Sequence, residues 1–420
     1  MLRHLELKHV GPAREMAADL APRLNFFTGD NGVGKTFLLD IAWWLMTGTW
    51  ARQPVVPVNN GAEAPSIRWG FESSGRVGIE FDRHRYGWRY EPPATHTPRG
   101  IIIYAQLDGA FALWDHWRNV GLDPWSQAPR GLPPAFLFHA QEVWDGFPED
   151  SPKRLCNGLI QDWALWQERE KGDAFGQLTR VLRQLSPSPE HSLIPGDLRR
   201  VSLDDVRDHP TLRMPYGEDV ALIHASAGMR RIVALSYLLV WAWQEHKRAA
   251  ELLDVEPARQ IVFLFDEIEA HLHPQWQRRI VPALLDVMKA LTEDEVEIQV
   301  LGTTHSPLVL ASVEPYYQVD RDAVHELALV DDTVRLQRFE WKRLGDVNSW
   351  LSSSVFALDE PRSLEAEVAL EKATALLRQN PQPSLEDVLP IDAELRDVLS
   401  SVDRFWIRWS AMVEDLRKAS

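Results

Sequence analysis

Cysteine is almost absent: Cys156 stands alone in 420 residues. No disulfide framework can form, and a zinc site built on paired cysteines is excluded with it. A reducing, cytoplasmic setting is expected. Long apolar runs are missing too. The most nearly unbroken one, "IVALSYLLVWAW", is too short to cross a bilayer, and "MLRHLELKHV" alternates like a strand without the apolar centre of a signal peptide. No membrane partner is expected. Positive charge is scarce, with 45 Lys and Arg against 61 Asp and Glu and a formal net charge of −16. That balance argues against duplex binding by the whole surface and leaves room only for a local basic groove. Repeats and low-complexity tracts are lacking as well. What is present is a chain that is 45% hydrophobic, enough for one large core with an appended subdomain or for two cores. Its 18 tryptophans read as packing and interface residues.

The first chemical signal is "LNFFTGDNGVGKTFLLDIAWWLM". An apolar strand-like run ends at Thr28, "GDNGVGKT" follows from Gly29 to Thr36, and an apolar helical pattern begins at once. This is G-x-x-x-x-G-K-[ST] between a strand and a helix. Glycines let backbone N–H groups wrap a polyphosphate, and the helix N-terminus adds positive potential. Lys35 would reach the β and γ phosphates, and the Thr36 hydroxyl would ligate Mg²⁺. Asn31, Gly32, Val33, Gly34, Lys35, Thr36 and Phe37 are the candidate phosphate-binding residues, and ATP is the expected ligand.

Two further segments supply what a phosphate loop alone lacks. In "QIVFLFDEIEAHLHP", Ile261 to Phe265 read as a buried parallel strand, and Asp266 and Glu267 fall at its C-terminal end, where open α/β sheets bind ligands. Asp266 suits a metal ligand acting through water, and Glu267 suits a base for an attacking water. In "VEIQVLGTTHSP", Ser306 and Pro307 form an N-cap and first-turn pair, so a helix should start there. That leaves His305 at a strand edge, as a candidate contact for the γ-phosphate or the water. A fourth stretch, "HASAGMRRIVALSY", sets small residues from Ala225 to Gly228 before an apolar helix. Such an elbow is either a tight turn or a meeting place for an anion.

In that order, "GDNGVGKT", "SAGMRR", "FLFDEIEAHLHP" and "TTHSP" resemble the Walker A, signature, Walker B with D-loop, and switch histidine of the ABC-type ATPases. The likeness is nearest to the RecF/SMC branch and to stand-alone ATPases related to the overcoming-lysogenisation-defect proteins of bacterial anti-phage defence. It covers roughly residues 1–50 and 200–312. The resemblance implies that the elbow caps the γ-phosphate held by a second subunit, with Ser226 and Gly228 completing that site, and hence a homodimer or higher homo-oligomer closed by an ATP sandwich. The elbow departs from the usual L-S-G-G-Q, since Ala227 replaces a glycine and Met229 the glutamine. SMC-type heptad arms are missing, and no acidic nuclease domain is visible after His305. Asp331-Asp332 sits between two alternating runs and reads as a turn.

The expected fold is α/β, a P-loop NTPase with an ABC-type head. Residues 1–120 would form a β-rich N-terminal lobe and 121–200 a helical lobe or insertion. The rest of the ATPase core would be 201–315, with a small, mostly helical appendage over 316–420 that could dock a partner. Gln106 and Gln141 both follow strands and both fit the glutamine that senses Mg²⁺ in this family. The pairs Arg199-Arg200, Arg230-Arg231 and Arg278-Arg279 are candidate nucleic-acid contacts, although helical arginine pairs usually meet acids or water. The function expected is ATP hydrolysis coupled to control of an effector protein such as a nuclease. The alternative is a RecF/SMC-like repair or recombination ATPase that binds DNA.

Overall fold

Five segments are buried on both faces, as parallel strands covered by helices must be. They are Leu24–Gly29, Ile101–Ala105, Gln260–Phe265, Glu297–Thr303 and the first half of Asp322–Val330. In this computed structural model, which describes residues 1–57, 64–72, 75–88, 100–119, 135–148, 155–169, 173–292, 296–356, 358, 361–379 and 381–419, they pair in parallel. Their spatial order is Asp322–Val330, Leu24–Gly29, Glu297–Thr303, Gln260–Phe265, Ile101–Ala105. Antiparallel strands finish both margins: Thr333–Arg338 on one side, Phe111–Asp115 and then Phe136–Phe138 on the other.

A second, antiparallel sheet of five strands has the order Glu15–Asp19, Leu2–Lys8, Ser66–Phe71, Arg76–Asp82, Gly87–Trp88. Helix Lys35–Thr47 touches both sheets. It is therefore apolar almost all round, with Leu38, Leu39, Ile41, Ala42, Trp43, Trp44, Leu45 and Met46 all in one core. Buried Gln299 joins the sheets, accepting from the Leu2 amide (3.1 Å) and donating to the carbonyls of Leu2 (2.8 Å) and Ala21 (3.0 Å).

Helix Ala227–Leu253 is 27 residues long, about 40 Å at the α-helical rise. It packs on helix Ala174–Gln184. Helix Leu159–Glu168 lies in the region 121–200 expected to be a helical lobe or insertion. Among the described residues no helix is long and apolar enough to cross a membrane.

The chain divides into two units, Met1–Trp350 and Leu351–Ser420. The expected appendage at 316 thus starts too early, because Asp322–Val330 pairs with the strand leading into the phosphate loop and extends the central sheet. Likewise Ile101–Ala105, grouped with the N-terminal lobe by its sequence position, belongs to the central sheet. The expected boundary at 120/121 lies outside the described residues. The one at 200/201 follows a short strand, Arg199–Arg200, paired with Asp208–His209. The second unit has helices Leu364–Arg378, Leu385–Val398 and Phe405–Ala419, the first two capped by Ser363 and Ser384. They enclose Ala369, Leu370, Ala373, Val388, Leu395 and Trp409. Trp409 is fully buried and its indole N–H donates to Asp392 (3.0 Å).

Candidate functional site

The parallel strands ending at Gly29, Ala105, Phe265 and Thr303 deliver their next residues to one edge of the sheet. Gly29 and Gly34 are glycines for steric reasons. A Cβ on Gly29 (φ 134°) would stand 2.0 Å from the Leu327 carbonyl oxygen, and one on Gly34 (φ 99°) would stand 2.6 Å from Pro12 Cγ. Gly34 also begins helix Lys35–Thr47 and offers no side chain to cap it. The first-turn amides are thus available to an anion. Asn31 and Gly32 are exposed, whereas the Val33 side chain is buried in the core, so only the backbone of Val33 serves the loop. The Phe37 ring lies against Gly11, where a Cβ would be 2.4 Å from it. Lys35 Nζ donates to the carbonyls of Gly29 (2.8 Å) and Asp30 (2.7 Å), inside the turn of the loop. Burial lowers its pKa, against the pull of Glu267, Asp30 and Asp266.

Asp266, 2% exposed, is the hub. The Thr36 hydroxyl donates to its two oxygens at 2.9 and 3.0 Å, the Thr303 hydroxyl donates at 2.8 Å, and Arg52 pairs with it at 3.0 Å. Arg52 Nε also donates to Gln106 Oε1 (2.9 Å), and its guanidinium stands 3.8 Å from Asp40. Buried Gln106 therefore joins the Asp266 cluster. Gln141 does not; it is exposed on helix Ala140–Asp145, beyond the edge strand Phe136–Phe138. Arg52 carried no sequence signal, because it follows the helix in a stretch without a motif.

Thr36 and Asp266 offer one hydroxyl and one carboxylate. Among the described residues no group of three His, Cys, Asp or Glu gathers as a metal cage. A sparse set of hard oxygens fits Mg²⁺, which is held mainly by phosphate and water.

Glu267 has a left-handed backbone (φ 49°), and its amide donates to the Thr303 hydroxyl (2.9 Å) that in turn donates to Asp266. The two acids are thereby splayed. Asp266 turns inward, while Glu267 turns out to meet His305, with Oε1 at 3.4 Å from Nε2 and both side chains about a third exposed. Burial, then Lys35, lowers the His305 pKa, against the pull of Glu267. Helix Pro307–Val313 starts where expected, and the Ser306 hydroxyl accepts from the Val309 amide at 3.3 Å. Glu269 was not foreseen. Its buried carboxylate accepts from the His305 amide (2.6 Å) and the Thr304 hydroxyl (2.9 Å), and burial raises its pKa.

The elbow is real: Ser226 caps helix Ala227–Leu253, accepting from the Met229 amide at 3.3 Å. Ser226 and Ala227 are exposed. Gly228 is buried, and a Cβ on it would stand 2.6 Å from the His271 carbonyl oxygen. Its lack of a side chain thus has a cause within the subunit, the crossing of the segment after Glu267. Arg231 donates to the carbonyls of Leu107 (2.9 Å), Asp266 (3.1 Å) and Glu267 (3.1 Å) and is partly buried, so it holds the site together instead of facing a nucleic acid. Arg230 lies over the Trp144 ring at 4.9 Å. Arg199, Arg200, Arg278 and Arg279 are exposed.

Residues 135–311 match the family model "AAA domain, putative AbiEii toxin, Type IV TA system". Over 132 residues, 30% of the chain, identity to the "Retron Ec83 probable ATPase" of Escherichia coli is 29%, covering 21% of that protein. Over 103 residues, 23% of the chain, identity to the "Retron Vc95 probable ATPase" of Vibrio cholerae serotype O1 biovar El Tor is 30%, covering 17% of that protein. The chain thus spans about a fifth of the length of the curated relatives it matches. The "SMC head domain from Thermotoga maritima" superposes over 81% of this chain and 99% of that one, at 15% identity and a TM-score of 0.40, too loosely to add to the strand order. Glycine loop, histidine strand and carboxylate strand stand side by side at one edge of the parallel sheet, so the chain has a P-loop ATPase fold, and over part of its length it is similar to retron ATPases.

Proposed function

We propose that the chain binds Mg-ATP, hydrolyses it slowly, and closes as an ATP-sandwich pair whose opening and closing controls an effector protein such as a nuclease in anti-phage defence. One observation carries the hydrolytic part of this reading: Thr36, Asp266, Glu267 and His305 converge on the rim of the loop that holds Lys35. The relation to retron ATPases supports the defence setting. The small helical unit Leu351–Ser420 is the proposed docking module for the effector.

In the proposed reaction, Lys35 and the amides from Asn31 to Phe37 hold the β and γ phosphates and take up charge as the terminal bond loosens. Thr36 and Asp266 would hold the Mg²⁺, which would supply charge neutralisation to the phosphates. Glu267 Oε1 takes the proton of the attacking water. His305 Nε2, 3.4 Å away, orients that carboxylate. Ser226 and the first amides of its helix face the phosphate of the second subunit. Among the described residues no hydrogen bond ties Ser226 or Gly228 to the phosphate loop of their own chain, which is the arrangement a shared site needs.

The test is the mass of Glu267→Gln in solution by light scattering, with and without Mg-ATP. This variant keeps the phosphate loop and Asp266 and removes the base, so closed pairs should accumulate. A stepwise doubling of mass with Mg-ATP is expected. No change in mass, with binding intact by calorimetry, would refute closure through the elbow.

A further inference from the structure

The catalytic pair described above uses one carboxylate of "DEIEA", yet the structure buries another beside it. Glu269 is 8% exposed. Its Oε1 accepts the His305 backbone N–H at 2.6 Å and the Thr304 hydroxyl at 2.9 Å. Among the described residues its Oε2 is buried with no hydrogen-bond partner. Burying a carboxylate with one oxygen unpaired is costly, and the positive charges of Arg231 and Lys35 nearby offset part of that cost. The connections continue on the other side. The Thr304 hydroxyl accepts from the Ser306 amide (3.0 Å), the Ser306 hydroxyl donates to Gln277 Oε1 (2.7 Å), and Gln277 Nε2 donates to the Leu272 carbonyl (3.0 Å). The histidine turn is thus tied at two points to the segment that begins with Glu267.

The geometry points to Glu269 as a positioning residue for hydrolysis: it grips the backbone of the Thr304-His305 turn so that the His305 ring stays on Glu267. One short segment then holds the histidine twice, Glu269 by its main chain and Glu267 by its ring. Main-chain restraint matters here because His305 and Glu267 are both about a third exposed and are held to each other by a single 3.4 Å contact. Without Glu269, the His305 amide and the Thr304 hydroxyl lose their acceptor and the turn is free to drift from the base by the small distances that catalysis registers.

This rests on the ATPase reading above, and the experiment separates the two. Turnover and ATP affinity are measured for wild type, Glu269→Ala, Glu269→Gln, His305→Ala and the double variant Glu269→Ala/His305→Ala. Expected is a fall in kcat of about tenfold or more for Glu269→Ala with ATP affinity nearly unchanged, and a much smaller fall for Glu269→Gln, whose amide oxygen still accepts both donors. The double variant should be no slower than His305→Ala alone, because Glu269 acts only through that residue. If Glu269→Ala does not fold, Thr304→Val removes one donor and leaves the backbone bond, and the same cycle with His305→Ala applies. Wild-type turnover with additive losses, or with unchanged kcat in Glu269→Ala, overturns the positioning role and leaves the ATPase reading standing. Binding without wild-type turnover removes the ATPase reading and this role with it.

Discussion

Replacing Gly228 by alanine sets two effects of similar size against each other. Gly228 is the second residue of helix Ala227–Leu253, and alanine is favoured over glycine in a helix interior by about 1 kcal/mol. On propensity alone the variant gains stability. The new Cβ, however, would lie 2.6 Å from the His271 carbonyl oxygen and 3.6 Å from Leu272 Cδ2. Ordinary C···O contacts begin near 3.3 Å, so the two segments must part by roughly 0.7 Å. His271 cannot yield freely: its backbone is left-handed (φ 63°), and the next amide, of buried Leu272, donates to the Glu269 carbonyl at 2.9 Å. Overpacking of this kind costs about 1–3 kcal/mol, more than the helix gains. Gly228→Ala should therefore melt below wild type without nucleotide, and amide exchange over residues 267–277 should quicken. Turnover should fall with it, since that segment carries Glu267 and Glu269. A melting temperature equal to or above wild type would mean that the contact is not there, and Gly228 would keep only its proposed role at the second subunit's phosphate.

Two further predictions concern ionisable groups outside the reaction. Burial pushes Asp40 up to about 6 from 3.8, against the Arg52 charge and the Tyr104 hydroxyl, which donates to it at 2.9 Å. A carboxyl raised in the folded state gives stability that is full below pH 4 and is lost as pH climbs through 6, roughly 3 kcal/mol in all. Asp40→Asn should remove that slope, so its stability relative to wild type should improve from pH 4 to pH 7 in denaturant titrations; a constant difference would refute the shift. Burial also pushes the Cys156 thiol up to about 12. Native protein at pH 8 should resist iodoacetamide and react fully in guanidinium, and native labelling at the rate of a free thiol would contradict that burial.

The parts that were readable before any coordinates were those in which a local pattern and a chemical need coincide. Apolar Ile261 to Phe265 had to be a buried strand, and it is, with a parallel partner on each side. Ser306-Pro307 had to start a helix, and the Ser306 hydroxyl caps it. Asp331-Asp332 had to be a turn, and both residues have positive φ (48° and 59°) between strands Asp322–Val330 and Thr333–Arg338. The same two strands were misassigned to an appendage because sequence shows that a hairpin exists and not which sheet its first strand joins. Two glutamines had equal claims for a similar reason. Gln106 and Gln141 each follow an apolar strand, and only the strand order sets one beside Asp266 and the other at the margin.

The roles of Arg52, Arg231 and Glu269 were illegible, although Arg231 stood out as half of an arginine pair. They belong to no spacing rule, because what they bind is backbone or a side chain brought close only by the fold. Thr36 and Asp266 lie 230 positions apart and meet through one hydroxyl. Parallel strands that end on one edge bring such residues together regardless of the chain between them, and a basic or acidic neighbour is then recruited wherever the edge leaves charge unbalanced. Asp266 at 2% exposure is such a place, and Arg52 answers it from beyond the end of the helix that carries Thr36. Arg231 does the same for the carbonyls of Asp266 and Glu267 from the first turns of helix Ala227–Leu253. The carboxylate turn is thereby held by the helix that begins at Ser226. A sequence pattern marks the elbow and the carboxylates as separate motifs; their connection through Arg231 exists only in the folded chain.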